Sequence, residues 1–190
     1  MSRPIPVDII PSHVYLSEDD QKKLFGVGHA MTIGAEHTQQ GQFIYDDTVQ
    51  VYGKLKRSLE LRVLGPNWAR SHVEITPTEA IFLGLNLPEV KTGTLMEAAP
   101  CRLVGPVGEV ELSAGLIIPK PHLTCSDTDA RDLHLQNGET VSVEISGYKN
   151  LVLANVVVRV HPTFRLRLEI HQDYARELWI TRPTHATLRQ

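Results

Sequence analysis

The chain has 190 residues, 42% of them hydrophobic and 22% charged, with a formal net charge of −3. That length allows one large domain or two small ones, and the apolar fraction is enough to bury a core. The lack of a basic excess argues against nucleic acid as the main partner, and no apolar run approaches the roughly 18 residues needed to span a membrane. Met1-Ser2-Arg3-Pro4 has no apolar signal core, so a cytoplasmic protein is expected. Cys101 and Cys125 are too few and too far apart for a disulfide framework and read as reduced thiols.

In chain order, Ser17-Glu18-Asp19-Asp20 opens a short helix carried on by Lys22, Leu24 and Phe25, with Ser17 as its cap and acidic residues at its positive end. Alternating strands follow at Val49–Tyr52 and Leu59–Leu64. Thr76-Pro77-Thr78-Glu79 starts a second helix, with proline tolerated in the first turn. Glu109–Leu112 reads as a strand, Ser126–Leu133 as a third helix, and Thr140–Ile145, Val156–Val160 and Leu166–Ile170 as further strands. Glycine and proline fall mostly between these runs, which suggests barrels rather than a doubly wound sheet. The expected fold class is mainly β, two related β-barrel domains with a few short helices.

The relation between the halves comes from one pair of segments. His13-Val14-Tyr15-Leu16-Ser17-Glu18-Asp19-Asp20 lies on His122-Leu123-Thr124-Cys125-Ser126-Asp127-Thr128-Asp129, an offset of 122 − 13 = 109 residues. In each, a strand-like run bearing a histidine leads to a helix cap four residues later. Val63-Leu64-Gly65-Pro66 and Leu103-Val104-Gly105-Pro106 give a weaker second echo. With a linker-like Lys91-Thr92-Gly93-Thr94, the expected domains are 1–92 and 93–190, the N-terminal segment being free to cross between them. Residues i and i+2 of an extended segment share a face, so His13 with position 15, and His122 with position 124, are placed to hold one ion each. Those positions are Tyr15 and Thr124, both poor zinc ligands.

Across roughly Pro6 to Arg176 the sequence resembles the PduL-type phosphate propanoyltransferases of bacterial microcompartment metabolism. The resemblance rests on ordered motifs: His13-Val14-Tyr15-Leu16-Ser17, Gly41-Gln42-Phe43, Val63-Leu64-Gly65-Pro66, and His72-Val73-Glu74-Ile75. Gly115–Ile118, Asn137–Val141 and Asn155–Val160 continue it. It implies two related β-barrels, two zinc ions, and exchange of an acyl group between coenzyme A and phosphate. One zinc is held by an H-x-H pair and a glutamate, the other by a second H-x-H pair and a later histidine, and an arginine holds phosphate. Zinc would polarise the thioester carbonyl and stabilise the thiolate, and a guanidinium matches phosphate with two parallel hydrogen bonds.

What the resemblance implies for this chain is a partial ligand set. His13 and Glu74 match the first metal site, with Tyr15 in place of its second histidine. His122 matches the second, with Thr124 in place of its partner and Glu169 in place of the late histidine. Glu169 can bind zinc, and His171, on the same strand face, is a substitute ligand. Trp68 stands where the phosphate arginine is expected, and Arg70, two residues on, is the candidate replacement. Cys125 is a further donor if its backbone is displaced. His72 is set aside from a joint role with Glu74, on the ground that consecutive strand residues face opposite ways.

Two functions follow as expectations. One is a member whose di-zinc site is degenerate, inactive or much weakened, binding a coenzyme A compound or another microcompartment protein. The other is an active phosphate propanoyltransferase working with one metal or rearranged ligands on acyl-CoA and phosphate. The amphipathic extension that directs some members into a microcompartment is not expected here, and the sequence leaves oligomeric state open.

Overall fold

The computed structural model describes residues 3–146 and 151–189. The chain begins with β1 (Ile5–Ile10), β2 (His13–Tyr15), helix α1 (Glu18–Phe25), β3 (Ile33–Glu36), β4 (Phe43–Tyr52) and β5 (Ser58–Gly65). Next come β6 (His72–Glu74), α2 (Pro77–Phe82), β7 (Glu89–Val90), β8 (Ala99–Val104) and β9 (Glu109–Pro119). The remainder is β10 (His122–Cys125), α3 (Asp127–Leu133), β11 (Thr140–Ile145), β12 (Leu151–Val160), β13 (Arg167–His171), α4 (Gln172–Glu177) and β14 (His185–Leu188). No helix among the described residues is long and apolar enough to cross a membrane.

Two compact units result: Ser12–Pro119, and Lys120 onward together with the N-terminal segment ending at Pro11. Each is a closed six-strand barrel. In the first, β2 lies between β5 and β6, β5 pairs β4, β4 pairs β8, β8 pairs β9, and β9 returns to β6. In the second, β10 lies between β12 and β13, β12 pairs β11, β11 pairs β14, β14 pairs β1, and β1 returns to β13. The parallel and antiparallel senses correspond stave for stave. The duplication expected from one octapeptide pair therefore extends through both barrels.

The unit boundary lies at Pro119/Lys120, not at 92/93. A division at 92/93 would remove β8 and β9, two of the six staves that close the first barrel. The linker-like Lys91–Thr94 is a turn inside that unit, closed by the Thr94 N–H donating to the Lys91 carbonyl at 2.9 Å. The N-terminal strand does cross, since β1 is a stave of the second barrel. The weaker echo is not a structural repeat: Val63-Leu64 ends β5, whose counterpart is β12, whereas Leu103-Val104 ends β8, whose counterpart is β14.

Each barrel has its own core. Val14, Val63, Val73 and Leu116 contribute to the first, and Leu123, Val158, Leu168 and Ile170 to the second. Because side chains alternate across a strand, His13, Tyr15, His72 and Glu74 lie on the opposite face of the wall, as do His122, Thr124, Glu169 and His171. All eight are nonetheless buried. The helix caps are as expected: Ser17, Thr76 and Ser126 accept from the backbone N–H groups of Asp20, Glu79 and Asp129. Helix α4 was not foreseen, because its cap is a histidine rather than a serine or threonine.

Candidate functional site

The two inherited pairs are cross-strand partners in matching register. His13 on β2 is opposite Glu74 on β6, and His122 on β10 is opposite Glu169 on β13. Between strands the pairing brings the side chains within reach, but the local chemistry differs in the two barrels.

In the second barrel His122 Nε2 lies 3.0 Å from Glu169 Oε2. Its Nδ1 is 3.1 Å from the Lys120 carbonyl, and because a carbonyl can only accept, Nδ1 carries a proton. The short contact to Glu169 then needs a second proton, on Nε2 or on the carboxyl. Thr124 Oγ1 is 3.2 Å from Glu169 Oε1, with the Arg165 and Arg167 carbonyls also within 3.3 Å, so its single proton serves one of three acceptors. Arg159 Nη1 lies 3.5 Å from His122 Nε2. An arginine N–H can only donate, so that contact competes with Glu169 for the same nitrogen.

In the first barrel the pair is looser. His13 Nε2 is 3.7 Å from Glu74 Oε2, beyond hydrogen-bond range. Tyr15 fills the third position with a ring: it meets His13 edge-on at 4.8 Å, stacks on His72 at 4.9 Å and lies 4.7 Å from Trp68. His72 is the residue that sequence reasoning missed. It stands two positions before Glu74, not one, so the two share a strand face, and its Nε2 is 3.7 Å from Glu74 Oε1. The i, i+2 spacing carried that signal. His72 Nδ1 donates to the Arg70 carbonyl at 3.2 Å, the same arrangement as His122 on Lys120.

The remaining expected residues are placed elsewhere. His171 caps α4, its Nδ1 accepting from the Tyr174 N–H at 3.4 Å and its ring packed 4.4 Å from that of Tyr174. Cys125 belongs to the core of the second barrel, on the face of β10 opposite His122. Burial, with Asp129 and Asp127 adding to it, pushes its thiol up to about 11, so it is a neutral thiol rather than a thiolate ligand at neutral pH. Arg70 is exposed and, with Trp68 and His72, lines a pocket in the first barrel.

Among the described residues, no three His, Cys, Asp or Glu side chains form a group able to hold a metal ion. A zinc site needs three or four such donors. At the third position of each expected site stands a phenol ring, Tyr15, or a hydroxyl, Thr124, and His122 Nε2 is engaged by Glu169.

Comparison with known proteins agrees with the resemblance. The family model described as phosphate propanoyltransferase matches residues 6–180. The phosphate propanoyltransferase of Lachnoclostridium phytofermentans is 35% identical over 178 residues, covering 93% of this chain and 83% of its own length. Those of Citrobacter freundii and Salmonella typhimurium are 36% and 37% identical over 174 residues, each alignment covering 91% of this chain and 82% of the relative.

Proposed function

The chain belongs to the phosphate propanoyltransferase family, and from that premise we propose that it is a member whose acyl transfer is lost or much weakened, acting instead as a binding protein. Its ligands on this reading are those of the family reaction: coenzyme A or its acyl thioester, and phosphate. Other microcompartment proteins are its proposed partners.

The observation that carries the reading is the closed His122–Glu169–Thr124 cluster. The histidine nitrogen that would face an ion faces a carboxylate oxygen at 3.0 Å, and the third donor is a threonine hydroxyl. Threonine is a poor zinc ligand, and losing a ligand costs more than the roughly 10- to 100-fold typical of a residue that only supports one. The test is acyl phosphate formation from propanoyl-CoA and phosphate with zinc added, beside direct binding of coenzyme A. Binding without turnover is the expected result; turnover that disappears in His122→Ala would refute it.

A second reading, an active transferase with rearranged ligands, is favoured by one observation. His72 donates from Nδ1 to a backbone carbonyl, which leaves Nε2, 3.7 Å from Glu74 Oε1, as the ring nitrogen placed to take a metal ion beside that carboxylate. Under this reading zinc is retained by the first barrel and lost in His72→Ala.

A further inference from the structure

The first barrel contains a pocket of ≈ 360 Å³ walled by Trp68, Leu95 and Met96, with Arg70 and His72 as its polar side chains. Its size is at the small end of ligand pockets. Trp68 is fixed in three ways. Its backbone N–H donates to the Leu16 carbonyl at 2.9 Å, its ring lies 4.7 Å from that of Tyr15, and Gly93 comes against its edge. Gly93 has a φ of +77°, and a Cβ there would stand 3.2 Å from Trp68 Cζ3, so a side chain at this position would press on the indole.

The polar groups of the pocket are not spent on each other. Arg70 is exposed and makes no ion pair among the described residues. His72 is 1% exposed, and its Nε2 has no hydrogen-bond partner. Its Nδ1 proton is on the Arg70 carbonyl and its Nε2 is 3.7 Å from Glu74 Oε1, so His72 lends no donor to an anion, and Arg70 is the one lysine or arginine among the lining residues.

We propose that this pocket binds a short-chain carboxylate, its apolar body against Trp68, Leu95 and Met96 and its anionic end on Arg70, in preference to inorganic phosphate. One guanidinium satisfies one carboxylate with two parallel bonds. A phosphate brings more charge and more oxygens than one guanidinium can satisfy, and burying an unsatisfied charged group is costly. The apolar walls add affinity only for a ligand with a hydrocarbon part. The inference goes beyond the loss of transfer proposed above and stands whether or not transfer survives.

The test uses the full chain carrying Trp179→Phe, which leaves Trp68 as the single indole, with calorimetry on the unsubstituted chain as the independent measurement. Propionate, butyrate and inorganic phosphate are titrated in turn. The carboxylates are expected to change Trp68 fluorescence saturably, with butyrate about three- to fourfold tighter than propionate for its extra methylene. Arg70→Ala, at an exposed position, should keep the fold and weaken both by roughly tenfold or more. Phosphate binding as tightly as butyrate, no saturable carboxylate binding by either method, or an unchanged affinity in Arg70→Ala would each overturn the proposal. Acyl phosphate formation, assayed separately, reports on the transfer reading alone.

Discussion

Glu169 stands opposite His122 across the β10–β13 pair, and their side chains meet at 3.0 Å. Glu74 stands opposite His13 in the same register of the first barrel, yet there the nearest approach of the pair is 3.7 Å. One fold position thus holds a pair at 3.0 Å and a pair at 3.7 Å, and the difference can be tested.

Both members of the closed pair are buried, so removing one leaves the other uncompensated. Glu169→Ala should cost about 3–5 kcal/mol of stability, within the range for breaking a buried pair, read from urea denaturation. Thr124→Val, which removes one hydroxyl contact and keeps the shape, should cost about 1–3 kcal/mol. A neutral Glu169→Ala would mean that the His122 contact contributes nothing to the fold.

Acid stability should depend on the two matched helix caps. Burial works against the charge of Asp129, but hydrogen bonds from Ser126 and the pair with Arg3 outweigh it and hold the carboxyl below its ordinary range. Asp20 at the equivalent position is lowered in the same way, burial being outweighed by Ser71, Lys23 and Ser17. A depressed folded-state pKa gives stability that is present above the unfolded value near 3.8 and lost as pH falls through the folded one. Asp129→Asn should therefore be less stable than the parent at neutral pH, and the gap should close on titration below about pH 4.

At the alkaline end the sign is opposite. The Cys101 thiol is pushed up to about 12, by burial first and the Glu111 charge second, and Cys125 up to about 11. Unfolding would let both ionise near 9. Their contribution is thus intact below pH 9 and is lost as pH rises from there through the folded values. Neither thiol should react with a disulfide reagent at pH 8 in the folded chain. Rapid reaction of either would place a thiolate where the structure has a neutral buried thiol.

Much of this was legible in the sequence. His13, Glu74, His122 and Glu169 were found by the repeat and the family motifs, and the structure pairs them in register. The barrel class followed from short alternating strands. What escaped detection depended on pairing that no local pattern encodes. The linker-like composition at Lys91–Thr94 marks a turn, and nothing near it shows that Ala99–Val104 and Glu109–Pro119 return to close the first barrel. The spacing of His171 from Glu169 suits a donor, but the chain turns into α4 there and uses the ring as a cap. The strand parity of Cys125 sends it into the core. His72 shares the face of Glu74 through the i, i+2 interval.

Restoring the family ligands should bring back what the present side chains displace. Tyr15→His, Thr124→His and Trp68→Arg together, with Glu169→His added, are expected to raise zinc retained on gel filtration well above the parent. Failure to do so would mean that the strands around both positions have also moved away from metal-binding geometry.

The proposed function holds that this chain no longer assembles the metal set of its family, and zinc per chain tests that proposal most directly. Protein purified with and without added zinc, then freed of loosely held ions, is assayed for metal by mass spectrometry. Far less than one zinc per chain in both preparations is the predicted result. One or two tightly held zinc ions per chain, released only on acidification, would contradict it and return the protein to the active transferases.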